Sequence, residues 1–276
     1  MTQVAIVTGA AGGMGTAAAR LLGRTHHLLL NDMNAARLDS LLAALADEGY
    51  RAEGVPGDLA DPAVAEALAE RCRTEGSLRS IVNTAGLSPV QADWRAIIRA
   101  NAIGPVYLLD AVEPLLGPAS ACVMVASVAG HLGYVDDVAD ALLADALQPG
   151  ILEALEPRLA GMVAAHGGTM QGHAYSITKR SILMLCERRA AAWGAKGARI
   201  VSLSPGLIWT PMGRLEAASG DRAQALVDAT PAGRWGTAMD IATTAEFLLS
   251  DVAGYITGCD IRVDGGAVAA MRGTGF

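Results

Sequence analysis

The chain has 276 residues, 52% hydrophobic and 18% charged, with a formal net charge of −7. That composition is globular and excludes a disordered or low-complexity chain. The acidic balance excludes nucleic acid as a partner, which needs a basic footprint, and weighs against anionic membranes and anionic carrier proteins.

Met1-Thr2-Gln3-Val4 enters an apolar run at once, with no basic region and no cleavage signature, so a cytoplasmic location is expected. Gln3 to Val7 reads as a buried strand and about Gly13 to Arg24 as a helix. Leu28 to Leu30 is a second strand with His26 and His27 at its start, then a helix runs from about Ala35 to Glu48 and a strand from Ala52 to Val55. Pro62 suits the first turn of the next helix. Ser80 to Asn83 is a fourth strand, Trp94 to Leu116 largely a long helix, and Ala121 to Ala126 a fifth strand. The uncharged stretch Pro114 to Val135 is broken too often by Pro and Gly to span a membrane, so no membrane partner is expected. Tyr175 to Trp193 reads as a helix, Arg199 to Leu203 as a strand, Ile241 to Leu249 as a helix and Asp260 to Val263 as a seventh strand.

Strands that alternate with helices and are apolar throughout imply a parallel sheet covered on both faces, an α/β doubly wound, Rossmann-type architecture. With no repeat, linker or composition shift, residues 1–276 read as one domain. Right-handed crossovers place the ligand site along the carboxyl ends of the strands.

Two motifs carry the chemistry. Thr8-Gly9-Ala10-Ala11-Gly12-Gly13-Met14-Gly15 lies between the first strand and the first helix. There Gly permits a tight turn and close backbone approach to a pyrophosphate, and the helix amino terminus favours the anion. Asp32 ends the second strand, 19 residues beyond Gly13, near the spacing of about 20 at which an acid meets the adenosine ribose. A carboxylate there accepts from both ribose hydroxyls and repels a 2′-phosphate, which implies NAD(H). Arg37 falls on the following helix.

The second motif is Tyr175-Ser176-Ile177-Thr178-Lys179, holding one of only two lysines in the chain. Positions i and i+4 share a helix face. A phenol with a pKa near 10 is a poor base, and a fixed ammonium favours phenolate. Bringing it to about 7 takes roughly 4 kcal/mol, which one lysine and the positive nicotinamide are expected to supply together. Tyr175 then donates a proton to a ketone or removes one from an alcohol.

These motifs, with Asn83-Thr84-Ala85-Gly86, Asn101, Ser127 and Pro205-Gly206 in this order, resemble the short-chain dehydrogenases/reductases over nearly the whole chain. The resemblance implies that Ser127 hydrogen-bonds the substrate oxygen, that Lys179 also holds the nicotinamide ribose, and that Asn101 positions a water for proton relay. It implies that Gly9, Gly13, Met14 and Gly15 cradle the pyrophosphate and that Asp58 and Leu59 border the adenine. Asn83, Ala85 and Gly86 would line the cofactor, and Ile208 and Thr210, after Pro205, would hold the carboxamide. Taken singly, Ser127 also reads as a strand-end turn serine and Asn101 as a helix-bending polar residue. Thr84 departs from the pattern, since many members carry a second asparagine there.

His131 and His173 read as loop histidines facing solvent. No His/Cys/carboxylate cluster points to a metal. Cys72, Cys122, Cys186 and Cys259 lack metal or redox spacing and read as buried thiols of a reducing cytosol.

Tyr175 follows Ser127 by 48 residues, a longer interval than most members have. The insertion, about 134–168, reads as two short helices: Val135, Val138, Leu142 and Ala146 on one face, then Leu152, Leu155, Leu159, Met162 and Val163, with Pro157 kinking or restarting the second. It resembles the bacterial 3α-hydroxysteroid dehydrogenase/carbonyl reductases, as do Ala190 to Gly194 and Met271 to Phe276. An alcohol/ketone oxidoreductase for a bulky cyclic substrate is therefore expected, with pocket walls around Gly130 to Tyr134 and Pro211 to Ala229. In many members the Tyr-bearing helix packs against its counterpart, so an insertion over that face implies a homodimer through another surface. Two alternatives stay open: a 3-oxoacyl carrier-protein reductase, disfavoured by Asp32 and the acidic surface, and a non-catalytic NAD-binding protein on the same fold, disfavoured by the intact Asn101, Ser127, Tyr175 and Lys179 set.

Overall fold

The computed structural model describes residues 2–218 and 222–273. Seven strands form one sheet: β1 (Gln3–Thr8), β2 (His27–Asp32), β3 (Ala52–Pro56), β4 (Ser77–Asn83), β5 (Ala121–Val125), β6 (Arg199–Pro205) and β7 (Asp260–Val263). The order is β3-β2-β1-β4-β5-β6-β7 and every pairing is parallel. All strand carboxyl ends therefore share one edge, and the order reverses between β1 and β4, where a crevice opens.

The first-half helices are α1 (Gly13–Leu22), α2 (Ala35–Asp47), α3 (Pro62–Glu75), α4 (Trp94–Ile98), α5 (Gly104–Val112) and α6 (Ala129–Leu132). After them come α7 (Asp137–Ala144), α8 (Ile151–His166), α9 (Met170–Gly194), α10 (Pro211–Ala218), α11 (Arg222–Ala229), α12 (Ala238–Leu249) and α13 (Ala267–Gly273). Side chains alternate across a strand, so β2 sends Leu28 and Leu30 to one face, against Leu22, Leu45 and Leu248, and Leu29 to the other, with Leu68, Leu108 and Trp193. Two cores sandwich the sheet, as the continuously apolar strands require.

The helix expected over Trp94 to Leu116 is interrupted. Arg99–Ile103 forms a π turn between α4 and α5, and Glu113–Leu115 tightens into a 3₁₀ turn. The wider turn re-aims Asn101, which is buried and bonded to the neighbouring loop.

The insertion folds as two helices, α7 and α8, but its first face is set differently from the reading by periodicity. Val135 and Val138 are 60% and 50% exposed, while Ala139, Leu143 and Ala146 are buried. The Asp136 carboxylate caps α7 by accepting from the Ala139 N–H. Its pairing with Arg158, and that of Asp140 with Arg180, then fix which side turns inward. Pro157 neither breaks nor restarts α8, which is continuous over Ile151–His166. Leu152, Leu155, Leu159 and Met162 are buried and Val163 half-buried, so packing on one side holds the turn that loses a backbone donor at Pro157. These residues join Trp94, Ile97, Ile98, Ala174 and Ile177 in a third core over α4 and the start of α9.

Leu155 is completely buried in that core. Leu155→Ala is expected to lower unfolding stability by about 2–5 kcal/mol, whereas Val138→Ser should change it by no more than about 0.5 kcal/mol. Chemical denaturation of both variants checks the assignment of faces; an equal cost at the two positions contradicts it.

Candidate active site

The crevice begins at the Gly-rich loop. Gly9 holds φ +63°, and a Cβ there would lie 2.7 Å from the Ala85 nitrogen, so only Gly lets this loop meet the end of β4. At Gly13 a side chain would strike Thr210. The amino terminus of α1 has no side-chain cap, leaving its first N–H groups and its dipole directed at the strand edge, as a phosphate requires. Thr84, the departure from the family pattern, donates to the Thr8 carbonyl at 2.8 Å and ties this loop to β4.

Asp32 ends β2 beside the loop. Its carboxylate accepts from the Ala11 N–H at 3.0 Å and from the Asn34 N–H at 2.9 Å. One acid thus fixes the Gly-rich loop and the lead into α2, and it has lone pairs left over for a diol. Arg37 lies on α2, its N–H bonded to the Asn34 side chain that caps the helix. These residues fit a nicotinamide dinucleotide: a Gly-closed cradle, an uncapped helix terminus and a neighbouring carboxylate.

Other expected cofactor residues lie along the same edge with different immediate tasks. Asp58 accepts from the Ala60 N–H, and Leu59 is buried, with its Cβ close to Gly104. The Leu59 side chain is therefore part of the core. The Asn83 Oδ1 accepts from Thr8 at 2.6 Å inside the protein, tying β4 to β1. Ala85 packs on the core. Gly86, Pro205, Ile208, Thr210 and Met14 line the cleft itself. Thr210 accepts from the Gly213 N–H at 3.1 Å and so sets the first turn of α10.

Ser127 follows β5, while Tyr175 and Lys179 project from α9, and all three line this cleft. The Ser127 hydroxyl accepts from the Ala129 N–H at 3.1 Å, which holds it at the start of α6. Lys179 is buried, and its Nζ donates to the Val125 carbonyl at 3.0 Å. Burial lowers the lysine to about 8. The Nζ lies 5.7 Å from the Tyr175 ring centroid.

The lowering of the phenol expected from Lys179 and a nicotinamide together is not reached by the protein's own groups. Burial pushes Tyr175 up to about 12; a polar contact with Ser127 acts the other way, and the nearby Glu216 charge raises it further. The protein alone therefore holds Tyr175 as a neutral phenol, a proton donor at neutral pH.

Asn101 is joined to the constellation indirectly. Its Oδ1 accepts from the Leu87 N–H at 2.8 Å and its Nδ2 donates to the Leu87 carbonyl at 3.0 Å. A Cβ at Gly86 would lie 3.0 Å from the Asn101 Oδ1 and 3.4 Å from the Lys179 Nζ, which puts both side chains beside one backbone point.

Three readings are corrected. His131 lies on α6, only 16% exposed, with its Nε2 2.8 Å from Asp260 Oδ2 and 3.2 Å from Ser204 Oγ. His173 is half-buried and bonded to the Gly167 carbonyl. At the opposite edge of the sheet His27, Glu53 and Glu75 converge, a His/carboxylate group that spacing did not reveal because it joins β2, β3 and α3. Arg71 pairs with Glu53 and Arg51 with Glu75, so the two carboxylates are already balanced by cations. Among the thiols, Cys72, Cys122 and Cys186 are buried and Cys259 is half-buried.

Residues 219–221 of the expected Pro211 to Ala229 wall and 274–276 of the carboxyl-terminal motif lie outside the described residues. In the described part of that wall, Met212 and Glu216 line the cleft. Sequence reasoning marked the segment but neither residue; the only available signal was their i, i+4 spacing behind Pro211.

Residues 3–139 match the sequence profile described as short chain dehydrogenase, and residues 159–268 match that described as enoyl-(acyl carrier protein) reductase. A short-chain dehydrogenase/reductase of Alternaria brassicicola is 31% identical over 98% of each chain. The 3-alpha-hydroxysteroid dehydrogenase/carbonyl reductase of Comamonas testosteroni is 30% identical over 99% of this chain and all of its own. Among solved structures, levodione reductase superposes with a TM-score of 0.76 at 25% identity, over 98% of both chains. With the fold, the Gly-rich crevice and these full-length likenesses in agreement, the chain belongs to the short-chain dehydrogenase/reductase family of oxidoreductases.

Proposed function

We propose that the protein is an NAD(H)-dependent oxidoreductase that interconverts a secondary alcohol and its ketone, acting in the cytoplasm. The observation that carries this reading is the convergence of Ser127, Tyr175 and Lys179 in one cleft beside the Gly-rich loop. Gly9, Gly13, Met14 and Gly15 cradle the pyrophosphate, Asp32 takes the adenosine ribose, and Asp58 with the Leu59 backbone borders the adenine. Asn83, Ala85 and Gly86 form the wall beyond β4, and Pro205, Ile208 and Thr210 border the carboxamide. When bound, the nicotinamide supplies or accepts the hydride.

The protein's own groups handle the proton. Ser127 donates to the substrate oxygen, and Tyr175, held neutral, delivers its proton to that oxygen as a ketone is reduced. In the oxidative direction Tyr175 would have to lose its proton, which positive charge bound beside it would favour. Lys179 orients the ribose and adds positive charge below the phenol. Asn101 serves by holding the Leu87 backbone at the cleft wall, and through it any water placed there. The likeness to a hydroxysteroid dehydrogenase and the apolar residues Leu87, Ile208 and Met212 around the cleft support a bulky cyclic substrate. The buried insertion over the start of α9 supports a homodimer formed elsewhere.

Fluorescence titration should give tighter binding of NADH than NADPH, through repulsion between Asp32 and a 2′-phosphate; equal or tighter NADPH binding overturns the cofactor assignment.

Tyr175→Phe is expected to cut turnover by at least about 10²-fold, the low end of what acid–base catalysis contributes, while leaving NADH affinity nearly intact. Lys179→Ala should damage both. Steady-state rates and NADH titration separate the two, and a Tyr175→Phe enzyme with most of its activity removes Tyr175 as the acid.

Light scattering should report a dimer, and a structure of the assembly should show no pairing of α9 with its counterpart. A tetramer packed through paired α9 helices would refute the role given to α7 and α8.

A further inference from the structure

One charged residue of the cleft has no part in the chemistry proposed above. Lys179 and Glu216 are the only charged residues among the described residues that line it. Lys179 is buried and bonded to the Val125 carbonyl. Glu216 stands on α10, four residues after Met212, so the two share the helix face turned to the cleft. The helix is fixed at that angle: Thr210 accepts from the Gly213 N–H at 3.1 Å, and the Arg214 N–H donates to the Thr210 carbonyl at 2.9 Å. Glu216 is half-buried and close enough for its charge to act on the Tyr175 phenol. Its own carboxyl is raised by burial. Arg214 and Leu215, between the two lining residues, are exposed.

We propose that Glu216 is a specificity-determining residue. Its carboxylate disfavours anionic substrates, and it accepts a hydrogen bond from a hydroxyl or ammonium group carried by the secondary alcohol at a second position. This rests on the alcohol/ketone reading above and adds the chemistry of the substrate's far end. A carboxylate in a partly dehydrated cleft repels another anion far more strongly than in water, and a hydrogen bond to a charged acceptor is stronger than one between neutral groups. An apolar wall bearing one such acceptor orients a ring by its second polar substituent.

The test uses NAD-dependent oxidation of four alcohols of similar shape: cyclohexanol, cyclohexane-1,4-diol, 4-aminocyclohexanol and 4-hydroxycyclohexanecarboxylate. Each kcat/KM is divided by that for cyclohexanol, so a general loss of activity cancels. The wild type should prefer the diol and the amino alcohol. Glu216→Gln should raise the carboxylate substrate relative to the amino alcohol by about ten-fold, the scale of one screened charge pair, and Glu216→Lys by more. Ratios unchanged within two-fold in both variants overturn the proposal, as does loss of all four activities in both variants when each still binds NADH. If the wild type oxidises none of the four, the alcohol reading is in question for these rings and binding decides the inference. Calorimetry on the NADH-loaded enzyme with cyclohexylamine and cyclohexanecarboxylate should favour the amine in the wild type and lose that preference in Glu216→Gln. Equal preference in the two enzymes overturns it.

Discussion

The bond from the Lys179 ammonium to the Val125 carbonyl is the constraint on which the cleft depends. A buried cation is costly unless it is held by acceptors, and here the last carbonyl of β5 meets that need at 3.0 Å. Because Lys179 sits one helical turn after Tyr175, and Val125 two residues before Ser127, this contact fixes α9 against the end of β5. The Ser127 and Tyr175 hydroxyls are thereby set in register. α6 completes the clamp: a side chain at Gly130 would collide with the backbone of Lys179 and Arg180, so α6 lies directly on α9. His131, on the same short helix, reaches across to Asp260 on β7, whose other oxygen accepts from Ser202 and Ser204. The segment after Ser127 is thus held on one side by the Tyr-bearing helix and on the other by the far edge of the sheet.

The insertion adds to this clamp. Leu155, Leu159 and Met162 of α8 bury the same side of the protein as Ala174 and Ile177, which flank Tyr175 in sequence. Arg180, one residue past Lys179, pairs with Asp140 of α7. The extra helices therefore rigidify the start of α9 from outside, where a family member without them has to find that support elsewhere. They also cover an apolar face at the start of α9 that would otherwise be open.

The framework was legible because it rests on local chemistry. Strand runs such as Gln3 to Val7, Gly-rich turns and the Tyr175/Lys179 spacing are constrained by the backbone and by helix geometry. Each of the seven strands was found where its pattern placed it, and Ser127, Tyr175 and Lys179 line one cleft. What periodicity missed depends on contacts distant in sequence. The inward face of α7 follows an Asp136 cap and two arginine pairs. The π turn around Asn101 follows the need to bond Leu87, and the buried place of His131 follows Asp260, which lies on a different strand. The spacing put Lys179 one turn from Tyr175, but the burial that raises the phenol and lowers the ammonium depends on packing distant in sequence.

That last difference bears on the proton Tyr175 carries. A phenol raised to about 12 by burial is protonated at neutral pH, so the folded protein on its own presents Tyr175 as a donor and not as a base. Stabilising the phenolate needs positive charge, and the only cation among the described residues that line the cleft is Lys179, which burial has lowered to about 8. A positively charged group bound beside the phenol would supply what these side chains do not.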